Sequence, residues 1–442
     1  MERRLRVGVI GGGMFFDDII GPALRDFQRG GFAGALTSIG MSHYAPRVAD
    51  IGIEFAAIGT RSPARGTADL IRDRFLDEFP EAGLKPYYGE TVWRDMIAKE
   101  QLDVLFVASP DHLHTQPILD ALAAGLHVIT EKPLCLKTTE ADAIVAAAAQ
   151  AGRVVAVDMH KRYDPFIREM MTNSLPVYNR IYRVRAVLEE PLQVSTEVFQ
   201  WVEQSNPFAY VGCHWLDVIA HYMDVKPRAL YATGERMLLE NWDRYVREIA
   251  ILRRQDPGSF SRHEAIHAWD ALNVNITYDN GMRGDFNNAW INPAEFEGAV
   301  NQELEVYGVL GRGFVDQQDR GFRETITGDG TRTRNPTFGG RIRRPGQPTE
   351  LYGYGKASIV AGLLAIARVA FLGESLADIA GTYADAASQR SITQIIEAAG
   401  VVAELNFGYL GERGMAPVTA AFTDDSITIV DPVGGNRQLY RR

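Results

Sequence analysis

A chain of 442 residues is longer than one hydrophobic core usually supports, so two domains are expected. With 46% hydrophobic and 23% charged residues the composition is that of an ordinary globular protein, and a formal net charge of -10 argues against a general binder of nucleic acid or acidic membrane, whose phosphates the field would repel. Two cysteines, Cys135 and Cys213, are too few for a disulfide framework and lack metal-ligand spacing, so no metal site is expected and a reducing cytoplasm fits best.

The N-terminal "MERRLRVGVIGGGMFFDD" sets Arg3 and Arg4 ahead of an apolar stretch. Three glycines and Asp17-Asp18 interrupt it, so it reads as a first strand and not as a secretion signal. From residue 5 to about 160 the runs "RVGVIG", "FAAIG", "LDVLFVAS", "LHVIT" and "VVAVD" alternate with helical patterns, which predicts βαβ units and a parallel sheet. The Gly-rich connection from Phe27 to Glu54 is expected to be an insertion over the domain edge. After "HKRYDP" longer alternating runs follow, "NRIYRVRAVLE", "LNVNITYDNGM" and "ELEVYGVLG", with Asn280-Gly281 as a hairpin signal, which predicts an antiparallel second domain. Residues 328–350 lack an apolar period and predict an exposed loop. Helices near 356–371 and 376–399 are expected to close the chain. The first carries Arg368 and falls short of the ~18 apolar residues of a membrane span, so it reads as a buried helix. The expected domains are 1–160, binding a dinucleotide, and 161–442, binding substrate and mediating oligomerisation.

Gly11, Gly12 and Gly13 lie between a strand and the helical pattern of "MFFDDIIGPALRDF". Glycines there permit a tight turn and let a pyrophosphate approach backbone N–H groups at the helix start. Phe16 stands where a small residue normally allows close packing, and a Gly-rich turn in any α/β protein explains the motif equally well when it is taken alone. A NAD site usually has an acid at the end of the second strand, for the ribose hydroxyls. Here Thr60-Arg61-Ser62 offers a guanidinium and two hydroxyls, which suit the 2′-phosphate of NADP(H) better, with NAD(H) as the alternative. The competing reading is a solvated Arg61 and a Thr60 that starts the next helix.

The run "HVIT" ends in Glu131-Lys132-Pro133 at the edge where open α/β sheets bind ligands. A lysine there either hydrogen-bonds a substrate hydroxyl and favours its alkoxide, or forms a buried ion pair with Glu131.

With "ASPDHLH" (108–114) before it, "HKRYDP" (160–165) after it and "GCHWLDVIAHYM" (212–223) further on, this motif resembles the glucose-fructose oxidoreductase, inositol dehydrogenase and MocA family. The resemblance covers most of the chain and is weakest in 28–54 and 328–350. It implies an α/β fold: an N-terminal Rossmann parallel-sheet domain, then a C-terminal α+β domain with an open, mostly antiparallel sheet. The exposed face of that sheet is expected to be apolar and to form a homo-oligomer, a dimer or tetramer. The family works on sugars and polyols with NAD(P). Carried over, Lys132 is its lysine and His214 its acid/base, with Asp217 completing His-x-x-Asp. Many members carry Asp four residues before that histidine, where this chain has Tyr210, on the same helical face and able to share the proton. Cofactor contacts are expected from Gly11, Gly13, Met14, Phe15, Thr60, Arg61, Ser62, Ser109, Pro110, His114, Glu131 and Lys132. Substrate contacts are expected from Lys132, Arg162, Tyr163, Tyr210, His214 and Asp217. Trp201, Trp215 and Trp290 suit either stacking on a sugar or core packing.

The expected function is hydride transfer between nicotinamide and a hydroxyl-bearing carbon of a sugar, glycoside or cyclitol. The alternatives are redox-neutral elimination or epimerisation with a retained cofactor, and a non-catalytic dinucleotide-binding regulator, which would have no use for both Lys132 and His214.

Overall fold

The computed structural model describes residues 3–293, 295–296, 298–319, 322–327, 330–409 and 417–442. They form two compact units, Met1–Pro165 with Pro336–Ser391, and Phe166–Asn335 with Ile392–Arg442.

In the first unit β1 (Arg3–Ile10), β2 (Ile51–Thr60), β3 (Lys85–Tyr88), β4 (Val104–Val107), β5 (His127–Thr130) and β6 (Val155–Val157) make one sheet in the order β3-β2-β1-β4-β5-β6. Every neighbouring pair is parallel. β4 and β5 are buried at every position, as strands covered on both faces must be. β3, "KPYY", has no buried position and therefore no apolar run to announce it in the sequence. Chain order reverses between β1 and β4, which puts the switch point of the sheet beside Gly11.

The expected division at residue 160 is amended in two ways. The boundary falls after Pro165, and 336–391 returns to the first unit. The cause is the helix Tyr354–Leu372, apolar on nearly all sides, whose Ile359, Leu363 and Ile366 share one core with Ile129 and Ala156 of the parallel sheet. Among the described residues it is the one helix long and apolar enough to span a membrane, and most of it is buried in this core. The connection expected to lie over the domain edge also enters the core: Phe32 is buried, and Leu36, Tyr44 and Val48 are buried on short helical turns. Turns of three or four residues give no legible apolar period.

The second unit contains β7 (Ile181–Pro191), β8 (Pro227–Glu235), β9 (Ala271–Tyr278), β10 (Arg283–Asn292), β11 (Asn301–Gly308) and β12 (Arg312–Asp316). It also holds the hairpin of β13 (Arg323–Ile326) and β14 (Gly330–Thr333), whereas the hairpin of β15 (Gly340–Ile342) and β16 (Glu350–Tyr352) belongs to the first unit. With β17 (Thr419–Phe422), β18 (Ser426–Val430) and β19 (Arg437–Arg441) the large sheet runs β12-β11-β7-β10-β9-β8-β17-β18-β19. It is antiparallel except between β7 and β10. The predicted β9–β10 hairpin is present, with Gly281 at φ 83 and its N–H donating to the Tyr278 carbonyl at 3.0 Å.

One face of this sheet is apolar and buried through Val184, Ala186, Val274, Ile276, Phe286 and Leu304. The open face is not the apolar surface expected. Across β7, β10, β11 and β12 it carries ion pairs: Arg183 with Asp285 at 2.6 Å, Arg185 with Glu303 at 3.2 Å and Glu305 at 3.0 Å, and Arg312 with Glu305 at 2.6 Å. Alternation sends the apolar residues to one side and sets opposite charges against each other on the other.

The closing helices are Tyr354–Leu372 and Ala386–Tyr409. The expected start at 376 is a separate turn, Leu376–Ile379, capped by Ser375 and Asp378. The chain then extends, with the Val157 N–H donating to the Ala384 carbonyl at 2.8 Å. Three strands, and not a helix, end the chain. Of the expected loop 328–350, residues 328–329 lie outside the described residues, 341–350 are exposed apart from the strand pairing at its ends, and 336–339 form a helical turn.

Candidate active site

The carboxyl edge of the parallel sheet gathers most of the expected cofactor residues. β1 is followed by Gly11, whose N–H donates to the Gly59 carbonyl at 2.9 Å. Its φ is 98, and a Cβ there would stand 2.1 Å from the Ala108 carbonyl oxygen, so only glycine fits between β1 and β4. A Cβ on Gly13 would meet nothing within 4 Å, so the turn has open space above it. The helix beyond begins as a π-helical turn, Phe16–Ile20, and continues as Gly21–Gly30. Phe16 is buried against Phe55, and the small residue missing at its position is supplied by Gly21, where a Cβ would sit 3.0 Å from the Phe16 ring.

Thr60 Oγ1 at the end of β2 and Ser109 Oγ after β4 are buried without hydrogen-bond partners. Two orphaned hydroxyls flanking an open glycine turn fit a dinucleotide, which would satisfy them and occupy the space over Gly13. Arg61 reaches outward with its side chain 71% exposed, 4.0 Å from Glu90. Ser62 precedes the turn Pro63–Arg65, Met14 is exposed, and Phe15 is half-buried against the His160 ring.

His114 is placed differently from a cofactor contact. Its ring is fully buried, with Nδ1 2.8 Å from the Pro133 carbonyl and Nε2 2.8 Å from the Ser109 carbonyl. Burial lowers its pKa below the usual histidine value. It ties the loop after β4, including Pro110, to the Lys132-Pro133 turn, and so positions both.

Glu131 extends β5 by donating its N–H to the Val107 carbonyl at 2.8 Å, and the Lys132-Pro133 peptide is cis. Lys132 is only 8% exposed. On the neighbouring strand, where Thr130 pairs with Val157, Asp158 follows and is 1% exposed. Sequence reasoning missed Asp158, although an acid ending the apolar run "VVAV" is the same signal that marked Lys132. Burial first, and then the charge of Asp158, push Glu131 well above the usual carboxylate range. Burial pushes Asp158 up to about 6, while Ser358, Glu131 and Lys132 keep it from rising further. Both carboxyls are therefore pushed toward their protonated forms beside Lys132. Arg162, expected at substrate, is buried and donates to the Tyr383 carbonyl at 3.3 Å, and Tyr163 packs on the core of this unit.

In the second unit a π-helical turn, Phe208–Gly212, runs into the helix Cys213–Met223. Asn206 Oδ1 accepts from the Ala209 N–H at 2.8 Å and caps this start. His214 and Asp217 are buried in the first turns. Tyr210 is half-buried, edge-on to Phe199 at 4.8 Å and Trp201 at 5.7 Å. Trp215 and Trp290 are fully buried core residues, whereas Trp201 is half-buried and stacks on Phe199 at 4.6 Å. Asn288 was overlooked: its Nδ2 donates to the Leu188 carbonyl at 3.0 Å, while its buried Oδ1 has no partner.

A parallel sheet with an open glycine turn at its switch point, joined to a unit built on a large open sheet, defines a dinucleotide-binding oxidoreductase class. The profile described as oxidoreductase family, NAD-binding Rossmann fold, matches residues 5–159, and that of the GFO/IDH/MocA C-terminal domain matches residues 179–312. The chain belongs to the GFO/IDH/MocA oxidoreductase family. It is 22% identical over 255 residues to the uncharacterized oxidoreductase YrbE of Bacillus subtilis (strain 168), spanning 57% of this chain and 66% of that protein. It is 30% identical over 152 residues to the D-glucoside 3-dehydrogenase of Escherichia coli (strain K12), spanning 32% of this chain and 43% of that protein. The chain thus spans less than two thirds of either relative. Its fold is similar to that of levoglucosan dehydrogenase in complex with NADH and levoglucosan, with TM-score 0.62 and 19% identity over 91% of this chain and 98% of that one.

Proposed function

We propose that the protein is an NADP(H)-preferring dehydrogenase or reductase acting on a hydroxyl-bearing carbon of a sugar, glycoside or cyclitol. The observation that carries this is Lys132, buried with its carboxyl neighbours on the same sheet edge as the open glycine turn and its orphaned hydroxyls. The relative named as a D-glucoside 3-dehydrogenase supports the carbohydrate class.

When bound, the nicotinamide supplies the hydride chemistry. Gly11 and Gly13 leave the backbone open to the pyrophosphate, and Thr60 and Ser109 offer hydroxyls to the ribose and phosphate groups. Lys132 donates a hydrogen bond to the substrate oxygen and favours the alkoxide form. His214, in the second unit, takes the acid/base role that the family resemblance gives it and exchanges the hydroxyl proton at its imidazole. Tyr210 hydrogen-bonds the substrate or shares that proton.

Arg61 underlies the NADP(H) preference, since no acid follows β2 and a guanidinium pairs well with a 2′-phosphate. A panel of sugars and polyols, followed at the reduced-nicotinamide absorbance with each cofactor, tests the proposal. NADP(H) is expected to bind more tightly, and Arg61→Ala to weaken it by about 1.5 to 3 kcal/mol while leaving NAD(H) nearly unchanged. Tighter binding of NAD(H) by the wild type would overturn the preference, and no nicotinamide turnover with any sugar or polyol would overturn the activity.

A further inference from the structure

Residues 336–353 fall outside both family-profile matches, yet they belong to the parallel-sheet unit and fold back onto its glycine turn. The strap comprises the turn Pro336–Gly339 and the β15–β16 hairpin. Its outer part is held by polar contacts. Arg29 donates to the Thr349 carbonyl at 2.8 Å, and Asp26 accepts from the Leu351 N–H at 2.9 Å and from Lys356 at 2.5 Å. Beneath it lies a cavity of about 310 Å³, lined by Arg29, Ala33, Arg344, Gln347 and Glu350, while Leu351 of β16 is buried in the core of this unit.

The inner end differs. Phe338 turns its ring inward, 6.3 Å from Phe15, 5.1 Å from His160 and 5.2 Å from Tyr354. Phe15 and His160 stack at 5.9 Å, and His160 and Tyr354 at 5.7 Å. Phe15 follows Gly11–Gly13 by two residues, and His160 follows β6. The cluster therefore reaches from the glycine turn to the end of β6, across the ends of β4 and β5. It sits close enough to Lys132 for that charge, after burial and Lys161, to hold the His160 imidazole in its neutral form. A neutral ring among three aromatic rings makes an apolar wall. Arg341 donates to the Asp17 carbonyl at 3.3 Å and fastens the strap to the first turn after the glycines.

We propose that Phe338, carried on this strap, walls the nicotinamide end of the dinucleotide cleft, so that movement of the strap sets the rate at which a bound cofactor leaves. This rests on the dinucleotide reading above. An apolar wall that shields a bound group from water acts mainly on its escape, and so on the dissociation rate.

The test is stopped-flow displacement of bound NADPH or NADH, read by its own fluorescence, in wild type, Phe338→Ala and Arg341→Ala, with melting temperature measured on the same samples. Phe338→Ala is expected to release the cofactor about tenfold faster with its association rate little changed, and Arg341→Ala about threefold faster. Arg341 is exposed, so that variant gives the answer if Phe338→Ala does not fold. Wild type that binds with release rates unchanged within about twofold in the folded variants would overturn the wall while leaving the dinucleotide site standing. Wild type that binds neither reduced cofactor would overturn the dinucleotide reading and the wall with it.

Discussion

Asp158 and Glu131 show how one residue changes the meaning of its neighbour. A lysine beside a lone buried glutamate forms a simple ion pair, whereas a lysine beside two buried carboxyls, each pushed toward its protonated form, does not depend on either one alone. The consequence for stability has a definite sign. Asp158 holds its proton up to about pH 6 in the folded state, against a usual value of 3.8, so the folded state binds the proton more tightly than the unfolded chain. Stability contributed by this group is therefore lost as pH rises from about 4 through about 6 and is constant above, a fall of up to about 3 kcal/mol. Asp158→Asn should remove that fall, so that the stability difference between variant and wild type widens across this window when followed by urea denaturation. A difference independent of pH would contradict the assignment. Lys132 and the glycine turn stood out in the sequence because each lies at a recognisable strand end, whereas His214 was singled out only by the family resemblance. Asp158 and Asn288 did not stand out, because their significance lies in which strand stands next to theirs. The placement of His114 was equally hidden, since its two carbonyl neighbours come from residues five before and nineteen after it.

Elements with a clear period were read correctly. The alternating runs became β7, β9 and β11, and the buried runs became β4 and β5. Elements specified by capping or by edge position were missed: β3 has no buried residue, and the break before Ala386 depends on the Ser375–Asp378 cap. The same kind of local specification appears at Asp270, which is buried and accepts from the N–H groups of Met237 at 2.7 Å, Leu238 at 2.6 Å and Leu239 at 2.9 Å. One carboxylate thus organises the entry to the helix Trp242–Arg253. Asp270→Ala leaves three donors without their acceptor and should cost about 2 to 4 kcal/mol in urea denaturation. A change within about 0.5 kcal/mol would show that water replaces the carboxylate there.

At the scale of the whole molecule, chain order misassigned one segment. The apolar helix Tyr354–Leu372 covers the parallel sheet although it follows the second sheet's strands in sequence, and nothing in its composition names its partner. The open sheet face also differs from expectation, carrying paired charges in place of apolar surface. We retain the proposal that this face joins copies of the chain, now through polar pairing, which is weakened by salt. Light scattering at micromolar concentration and low salt should give a mass above 49.0 kDa, and a 49.0 kDa species alone would remove the proposal.

We propose that the buried charge of Lys132 serves a reacting oxygen and is not there to hold the fold together. Lys132 acts on both Glu131 and Asp158, each already pushed upward by burial, so its loss can be met by a second proton on that pair. A structural ion pair has no such recourse, and breaking one costs about 3 to 5 kcal/mol. Melting temperature and steady-state turnover measured on one sample of Lys132→Met separate the two accounts. The prediction is a near-native melting temperature, retained cofactor affinity and turnover lower by at least about 100-fold, because the lost interaction is strongest in the transition state. A large fall in melting temperature with near-normal turnover in the folded fraction would contradict it.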